Sequence, residues 1–271
     1  MVCGWFFQSH LFPLLIALLG LSVLTTLLTS RLLTETMAEP VHTDRNIGLG
    51  AVFNSYRTVM FDQRFLLFTL GGIALMFIEY QRNNYVSVRL AEELKNVGFN
   101  LGIFGTLTLD GVKVLSLLTA VNTIMVVLFT APVASWVTTR RQRPIMYIGF
   151  LIFTLGYAVT AFSNHLLILF AATVVFTFGE LLYVPTRQTV LAEIIDEEHR
   201  GSYVAFNGII YQVGKILASL SLMLSPLIGK YGMGLLMVLA GLLALLLTKA
   251  GLSANSHRID SPSKQPTTNQ E

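Results

Sequence analysis

Hydrophobic positions along the chain fall into seven long runs, each bounded by short polar segments. The runs are 11–28, 65–86, 114–136, 145–161, 166–184, 204–224 and 235–252. A helix of about 20 residues is about 30 Å long, which matches the hydrocarbon core of a bilayer. The pattern therefore predicts an all-α membrane protein with about seven transmembrane helices.

The polar segments divide the chain into four parts. We predict a first transmembrane helix within 1–30, a loop over 31–64, a six-helix bundle over 65–252 and a disordered tail over 253–271. Inside the bundle, the glycine-rich segment 87–113 predicts a short surface ribbon that ends in an Asp110-Gly111 turn. Gly149 and Gly156 share one face of the fourth helix, which favours close helix contact.

Composition supports the membrane interpretation. Of the 271 residues, 54% are hydrophobic and 12% are charged, about half the charged share of a soluble domain, which is roughly 25%. The net charge of +3 does not indicate nucleic-acid binding, because the basic residues lie in short loops between apolar runs. The single cysteine and the five scattered histidines predict no metal site and no cofactor.

The distribution of basic residues predicts the orientation. With the N-terminus outside and one crossing for each run, twelve of the 18 basic residues face the cytoplasm: Arg31, Arg45, Arg57, Arg64, Arg140, Arg141, Arg143, Arg187, Arg200, Lys249, Arg258 and Lys264. Lysine and arginine concentrate in cytoplasmic loops, so the C-terminus is expected inside. Residues 1–10 carry no lysine or arginine, which disfavours a cleaved signal peptide.

Four charged residues within the runs are candidates for function, since intramembrane charges are costly. Glu79 and Arg82 are three residues apart in the second run, so they share a helical face and are able to pair. Alternatively, they mark a helix end that emerges at the interface.

Glu180 lies near the end of the fifth run, where a carboxyl group in apolar surroundings can take up and release a proton. A structural acid paired with Arg187 or Arg200 is the alternative. Lys215 lies midway along the sixth run, where it pairs with Glu180 or Glu79, faces an anionic substrate, or extends along the helix towards the interface. Asp196, Glu197 and Arg200 predict a salt-bridge latch between helices, with Arg187 beside it as a further gate residue.

Several motifs together resemble one family. Gly179-Glu180 followed by Pro185, and an acidic segment that ends Arg200-Gly201-Ser202-Tyr203, look like the fifth-to-sixth helix loop of a major facilitator half. The motifs Asp62-Gln63-Arg64-Phe65, Arg140-Arg141-Gln142-Arg143 and Ser225-Pro226-Leu227-Ile228-Gly229 are similar to family features at matching places. The resemblance covers about residues 11–252, and it is nearest to the bacterial proton-coupled multidrug efflux branch.

The resemblance implies a fold and a function. Major facilitators have twelve helices in two six-helix halves, with the substrate between the halves at the bilayer midplane. On that register, 11–28 resembles the last helix of the N-terminal half, 31–64 the central cytoplasmic loop and 65–252 the whole C-terminal half. We therefore expect a bacterial plasma-membrane protein that exports small amphipathic compounds against protons. Five helices of the family pattern are absent, so a second half-transporter or a homodimer is an expected partner.

Two other functions remain as alternatives. A non-transporting remnant, acting at most as a partner half, fits the absent helices. An intramembrane enzyme is disfavoured, because it needs a buried nucleophile with a base or paired metal ligands. Ser202 lies in the charged segment, and no histidine lies at membrane depth to activate a serine.

Overall fold

The structure, a computed structural model, describes residues 11–32, 56–57, 59–95, 97–100, 106–196 and 199–253. The chain forms two compact units, Met1–Gly50 and Ala51–Glu271. In the first unit, α1 spans Leu11–Leu32 and contains the predicted run 11–28. Most of the predicted loop 31–64, nearly all of the tail 253–271, and Glu197 lie outside the described residues.

The described part of the second unit is built from helices, apart from one short ribbon. Its elements are α2 (Gln63–Tyr80), a π-helical turn (Arg82–Val86), α3 (Ser87–Glu93), β1 (Val97–Asn100), β2 (Thr106–Leu109), α4 (Gly111–Thr138), α5 (Gln142–Phe162), α6 (Leu166–Ile194), α7 (Arg200–Asn207) and α8 (Ile209–Ser253). Within the described residues, five helical segments are long and apolar enough to cross a membrane. The protein is thus an all-α membrane protein, as predicted.

The second predicted helix is longer than its apolar run. Asp62 starts α2, because its carboxylate accepts from the backbone N–H groups of Arg64 and Phe65 at 3.1 and 3.2 Å. The helix passes through the π-helical turn and continues as α3 to Glu93. Buried Arg89 in α3 donates to the carbonyls of Thr160 and Ser163 at the end of α5, at 3.0 and 2.8 Å. These hydrogen bonds hold α3 against the end of α5.

The ribbon pairs β1 with β2 in antiparallel register, from Val97 opposite Leu109 to Asn100 opposite Thr106. Its end differs from the prediction. Asp110 is the N-cap of α4, where its side chain accepts from the Lys113 N–H at 2.8 Å. A helix begins where a closing turn was expected.

The fifth predicted helix extends ten residues beyond its expected end at 184. Pro185 lies inside α6, which continues to Ile194. The Thr186 hydroxyl donates to the carbonyls of Leu182 and Tyr183 in the preceding turn of the same helix, at 2.7 and 2.9 Å. Glu180 therefore lies at the middle of the helix, and its predicted position near the helix end is wrong.

The last helix, α8, contains two predicted crossings. Its 45 residues would be about 68 Å long if straight, against a hydrocarbon core of about 30 Å. Gly229 interrupts it with φ 66° and ψ −176°, a backbone conformation that favours glycine.

The chain reverses direction at this break. Before it, Gly214 packs against Met76, and Ser221 then accepts a hydrogen bond from Gln81, so this part runs parallel to α2. After the break, Ala244 lies against Gly71 and Gly251 then lies against Phe68, so this part runs antiparallel to α2. The predicted runs 204–224 and 235–252 therefore lie on two opposed helices.

The α5–α6 interface depends on small residues, as predicted from Gly149 and Gly156. Gly156 packs against the backbone of Phe176, and Gly149 packs against Tyr183 and Gly179. Gly179 of α6 in turn lies against the backbone of Phe153. Such close approach is the usual basis of helix association in lipid.

Candidate functional site

A polar cluster joins α2, α4 and α6 at about the middle of the bundle. Asn122 is its centre and is only 6% exposed. Its side-chain oxygen accepts from Nη1 of Arg82 at 3.0 Å, and its nitrogen donates to Oε2 of Glu180 and to Oγ1 of Thr177, both at 3.0 Å. The amide uses both of its N–H donors and thereby connects a cation to a carboxylate.

Glu79 joins the same cluster from α2. The Tyr183 hydroxyl donates to Oε2 of Glu79 at 3.4 Å. Tyr183 is buried, and its ring packs edge-on against Phe150 and Phe153, with centroids 5.6 and 5.0 Å apart. The phenol is therefore a fixed donor, whereas Glu79 and Glu180 are both only partly buried. Part of each of these two side chains therefore remains exposed.

The predicted pairing of Glu79 with Arg82 is not what the structure shows. Within the described residues, no ion pair of 4 Å or less joins them. The physical reason lies in the backbone, because α2 ends at Tyr80 and Arg82 begins the π-helical turn. The shared face of an i, i+3 pair requires continuous α-helix, and Arg82 instead turns towards Asn122 on α4.

Lys215 also lies apart from the cluster. The residue is exposed on α8, beside Gly214, which packs against α2. Among the residues that the structure covers, it has no ion pair with Glu79 or Glu180. The sequence suggested such a pair because Lys215 is midway along its run. In the structure the neighbouring residue, Gly214, faces α2, and Lys215 lies outside that packed face.

The four gate candidates do not form one group. Arg187 lies inside the bundle, 8% exposed, with its guanidinium carbon 4.7 Å from the ring centroid of Phe68. Asp196 lies 3.4 Å from Nδ1 of His199, and Arg200 is exposed at the start of α7. Glu197 is outside the described residues. Arg187 is thus separated from the α6–α7 turn by two turns of helix.

Sequence reasoning missed Thr177 and Tyr183 as members of the cluster. Both are three residues from Glu180, so the i, i+3 rule places them on its face of α6. Asn122 was visible as an isolated amide in an apolar run, but its partners are 40 and 58 residues away in sequence. The spacing along α6 could have identified Thr177 and Tyr183, but no sequence pattern indicated the contacts between different helices.

We expect Asn122→Leu to lower stability by about 1–3 kcal/mol, because the change leaves Arg82 and Glu180 without their buried partner. The measurement is the unfolding midpoint of the purified protein in lipid nanodiscs. The matched control is Asn84→Leu, since Asn84 makes only a 3.5 Å contact with Ser219. Equal shifts for both variants would contradict the bridging role of Asn122.

The chain is similar to one protein family and to one curated antiporter. A family model described as Major Facilitator Superfamily matches residues 96–269. A "Na(+), Li(+), K(+)/H(+) antiporter" of Planococcus maritimus is 27% identical over 248 residues, which are 89% of this chain and 58% of that protein. The chain therefore spans little more than half the length of this relative.

One solved structure shows a similar fold. It is the crystal structure of a POT family transporter in complex with 5-aminolevulinic acid, with a TM-score of 0.56 and 14% identity. The match covers 91% of this chain and 53% of that one. At this identity the likeness concerns the fold alone.

Proposed function

Because the chain belongs to the Major Facilitator Superfamily, we propose that it supplies one half of a membrane transporter that exports small amphipathic compounds in exchange for protons. The observation that carries the proposal is the bridge Arg82–Asn122–Glu180 at the middle of membrane-length helices. Intramembrane carboxylates and cations are costly and mark ion and substrate pathways. Here they converge from three helices.

The proposed chemistry is exchange at Glu180 and Glu79. Ionised Glu180 accepts the hydrogen bond from Asn122, and a proton on the carboxyl group competes with that bond. The Tyr183 hydroxyl offers the same contact to Glu79. Protonation thereby changes the charge that a cationic or polar group of the solute meets. The segment that joins α6 to α7, with Asp196, Glu197 and Arg200, is the proposed cytoplasmic gate.

The proposed partners are the lipid bilayer, a small-molecule solute, protons and a second six-helix half, which is another transporter half or a second copy of this chain. In this fold the solute lies between two halves, and one bundle provides one wall. A chain that acts only as a non-transporting partner half is the alternative.

We propose a bacterial plasma-membrane location with the C-terminus in the cytoplasm. In the second unit, the α4–α5 turn carries Arg140 and Arg141, and Arg64, Arg143 and Arg200 lie at helix starts that this topology places on the same side. Lysine and arginine favour the cytoplasmic face. The opposite side has four basic residues, of which Arg89 is bonded within the protein; the others are Lys95, Lys113 and Lys230.

A second candidate function is exchange of alkali cations for protons. The relative from Planococcus maritimus is named for that activity. In this chain, Glu79, Glu180, Tyr183 and Thr177 bring carboxylate and hydroxyl oxygens into one cluster. Hard cations prefer oxygen ligands, which favours the candidate.

One experiment tests both candidates. The purified chain is reconstituted into vesicles, and efflux of ethidium is followed with a proton gradient, with and without a protonophore. Protonophore-sensitive efflux supports export of amphipathic compounds. In a parallel arm, collapse of the proton gradient on addition of NaCl or KCl supports cation exchange. Correctly inserted protein that does neither would exclude transport by this chain paired with a second copy of itself and would favour the non-transporting partner half.

A further inference from the structure

Arg187 is a buried cation whose charge is unmatched within the described residues. Its guanidinium group packs against Gly72 of α2 and over the ring of Phe68. Nε and Nη2 are enclosed, and neither has a hydrogen-bond partner in the part of the chain that the structure describes. A side chain only 8% exposed thus keeps most of its donors unused.

Another buried arginine, Arg89, does have hydrogen-bond partners for its guanidinium group. Arg89 is 4% exposed, and it donates to the carbonyls of Thr160 and Ser163, to Asn164 and to Glu93. Its charge is therefore paired. Arg187 is similarly deep, yet among the described residues it has no carboxylate or carbonyl partner, and its guanidinium group lies over the ring of Phe68.

The Arg187 side chain does not extend towards the membrane surface, so its charge is not solvated there. Long cationic side chains near helix ends reach for the interface. Arg187, however, lies seven residues before the end of α6 at Ile194, about 10 Å along the helix. Its guanidinium group turns sideways to Gly72 in the neighbouring helix. The charge is held at depth by packing.

The carboxylates of the polar cluster do not neutralise it. Glu180 is seven residues away on α6, and Glu79 is seven residues beyond Gly72 on α2, each about 10 Å along its helix. No ion pair within 4 Å connects Arg187 to either one among the described residues. Arg187 therefore lies about 10 Å along the bundle from the two carboxylates, Glu79 and Glu180.

The surroundings of Arg187 define the missing partner. Phe68 lies under the guanidinium group, buried Tyr183 is one turn away on α6, and Tyr211 of α8 is close enough to interact electrostatically. Aromatic side chains favour an apolar ring, and a guanidinium group binds carboxylates through paired N–H donors.

We propose that Arg187 binds the carboxylate of a small aromatic acid, so that aromatic monocarboxylates are among the solutes of this transporter half. The mention of solutes rests on the proposed function, whereas the binding site stands on the geometry of Arg187 alone. The negative end of the ligand meets Arg187, and its ring packs against Tyr211, which is 47% exposed, whereas Phe68 and Tyr183 are buried inside the bundle.

The test uses the purified full chain in lipid nanodiscs without a proton gradient. Sodium benzoate is the probe, and benzamide is its uncharged counterpart, with ionic strength matched by NaCl. We expect saturating benzoate to raise the unfolding midpoint by about 2–4 °C and benzamide to leave it unchanged. Equal effects of benzoate and benzamide, or no effect of either, would overturn the proposal.

Variants assign the effect to Arg187. Arg187→Gln should lose the benzoate shift, and Arg187→Lys should keep a reduced one, since the charge remains but the paired donors do not. Arg143→Gln, which removes an exposed cation of α5, should keep the full shift. If Arg187→Gln does not fold, Gly72→Ala serves instead, because the added methyl group occupies the place of the guanidinium group. A full shift in Arg187→Gln, or in a folded Gly72→Ala, would refute the site.

The outcome is separable from that of the proposed function. A benzoate shift that depends on Arg187, in a protein without proton-driven efflux, would leave the site valid and contradict transport. Proton-driven efflux without a benzoate shift would leave transport valid and remove this site.

Discussion

Glu180→Gln is expected to reduce proton-driven efflux to the rate of protein-free vesicles while the protein still folds and inserts. Glutamine has nearly the same shape as glutamate, and its side-chain oxygen still accepts from Asn122. It cannot take up a proton. The change therefore removes the proposed chemistry and keeps the hydrogen-bond bridge.

The measurement is the initial rate of ethidium efflux from vesicles under a fixed proton gradient. Glu193→Gln is the matched control, because Glu193 is an exposed carboxylate on the same helix. An unchanged unfolding midpoint for Glu180→Gln shows that the bridge is intact. A rate for Glu180→Gln equal to that of the unsubstituted protein would exclude Glu180 as the proton site.

Gly179→Leu is expected to destabilise the bundle by about 3 kcal/mol or more, the upper part of the range for overpacked cores. A Cβ atom at this position would lie 2.7 Å from Cα of Phe153 and 2.9 Å from the carbonyl oxygen of Gly149. Both atoms belong to the backbone of α5. Side-chain rotation cannot relieve the contact, so the two helices must separate.

The unfolding midpoint in nanodiscs measures this effect. Gly201→Leu is the control, since nothing lies within 4 Å of a Cβ atom built on Gly201 in α7. It should be neutral or slightly stabilising, because leucine forms helix better than glycine. Similar midpoints for the two variants would show that α5 and α6 do not depend on this close approach.

Hydropathy predicted the membrane helices because lipid requires long apolar segments whose backbone is bonded internally. It placed the runs 114–136 and 145–161 within α4 and α5. Helix ends were less predictable. Pro185 and the charged residues after it were interpreted as a loop, but α6 continues through Pro185 to Ile194.

The candidate site was predictable in part. Glu180 stood out as an isolated carboxylate in an apolar run, and the structure places it in a hydrogen-bonded cluster. The partners of Arg82 and Glu79 were not predictable, because they come from helices 40 and 104 residues away. The burial of Arg187 depends on the absence of a side chain at Gly72, which no pattern along α6 reveals.

The π-helical turn at Arg82–Val86 has a consequence for the charge balance of the bundle. In an uninterrupted α-helix, Glu79 and Arg82 would face the same way and quench each other within α2. The wider turn sends the carboxylate to Tyr183 on α6 and the guanidinium group to Asn122 on α4. The two opposite charges of this segment thus bond to two different neighbouring helices, and no ion pair within 4 Å joins them among the described residues.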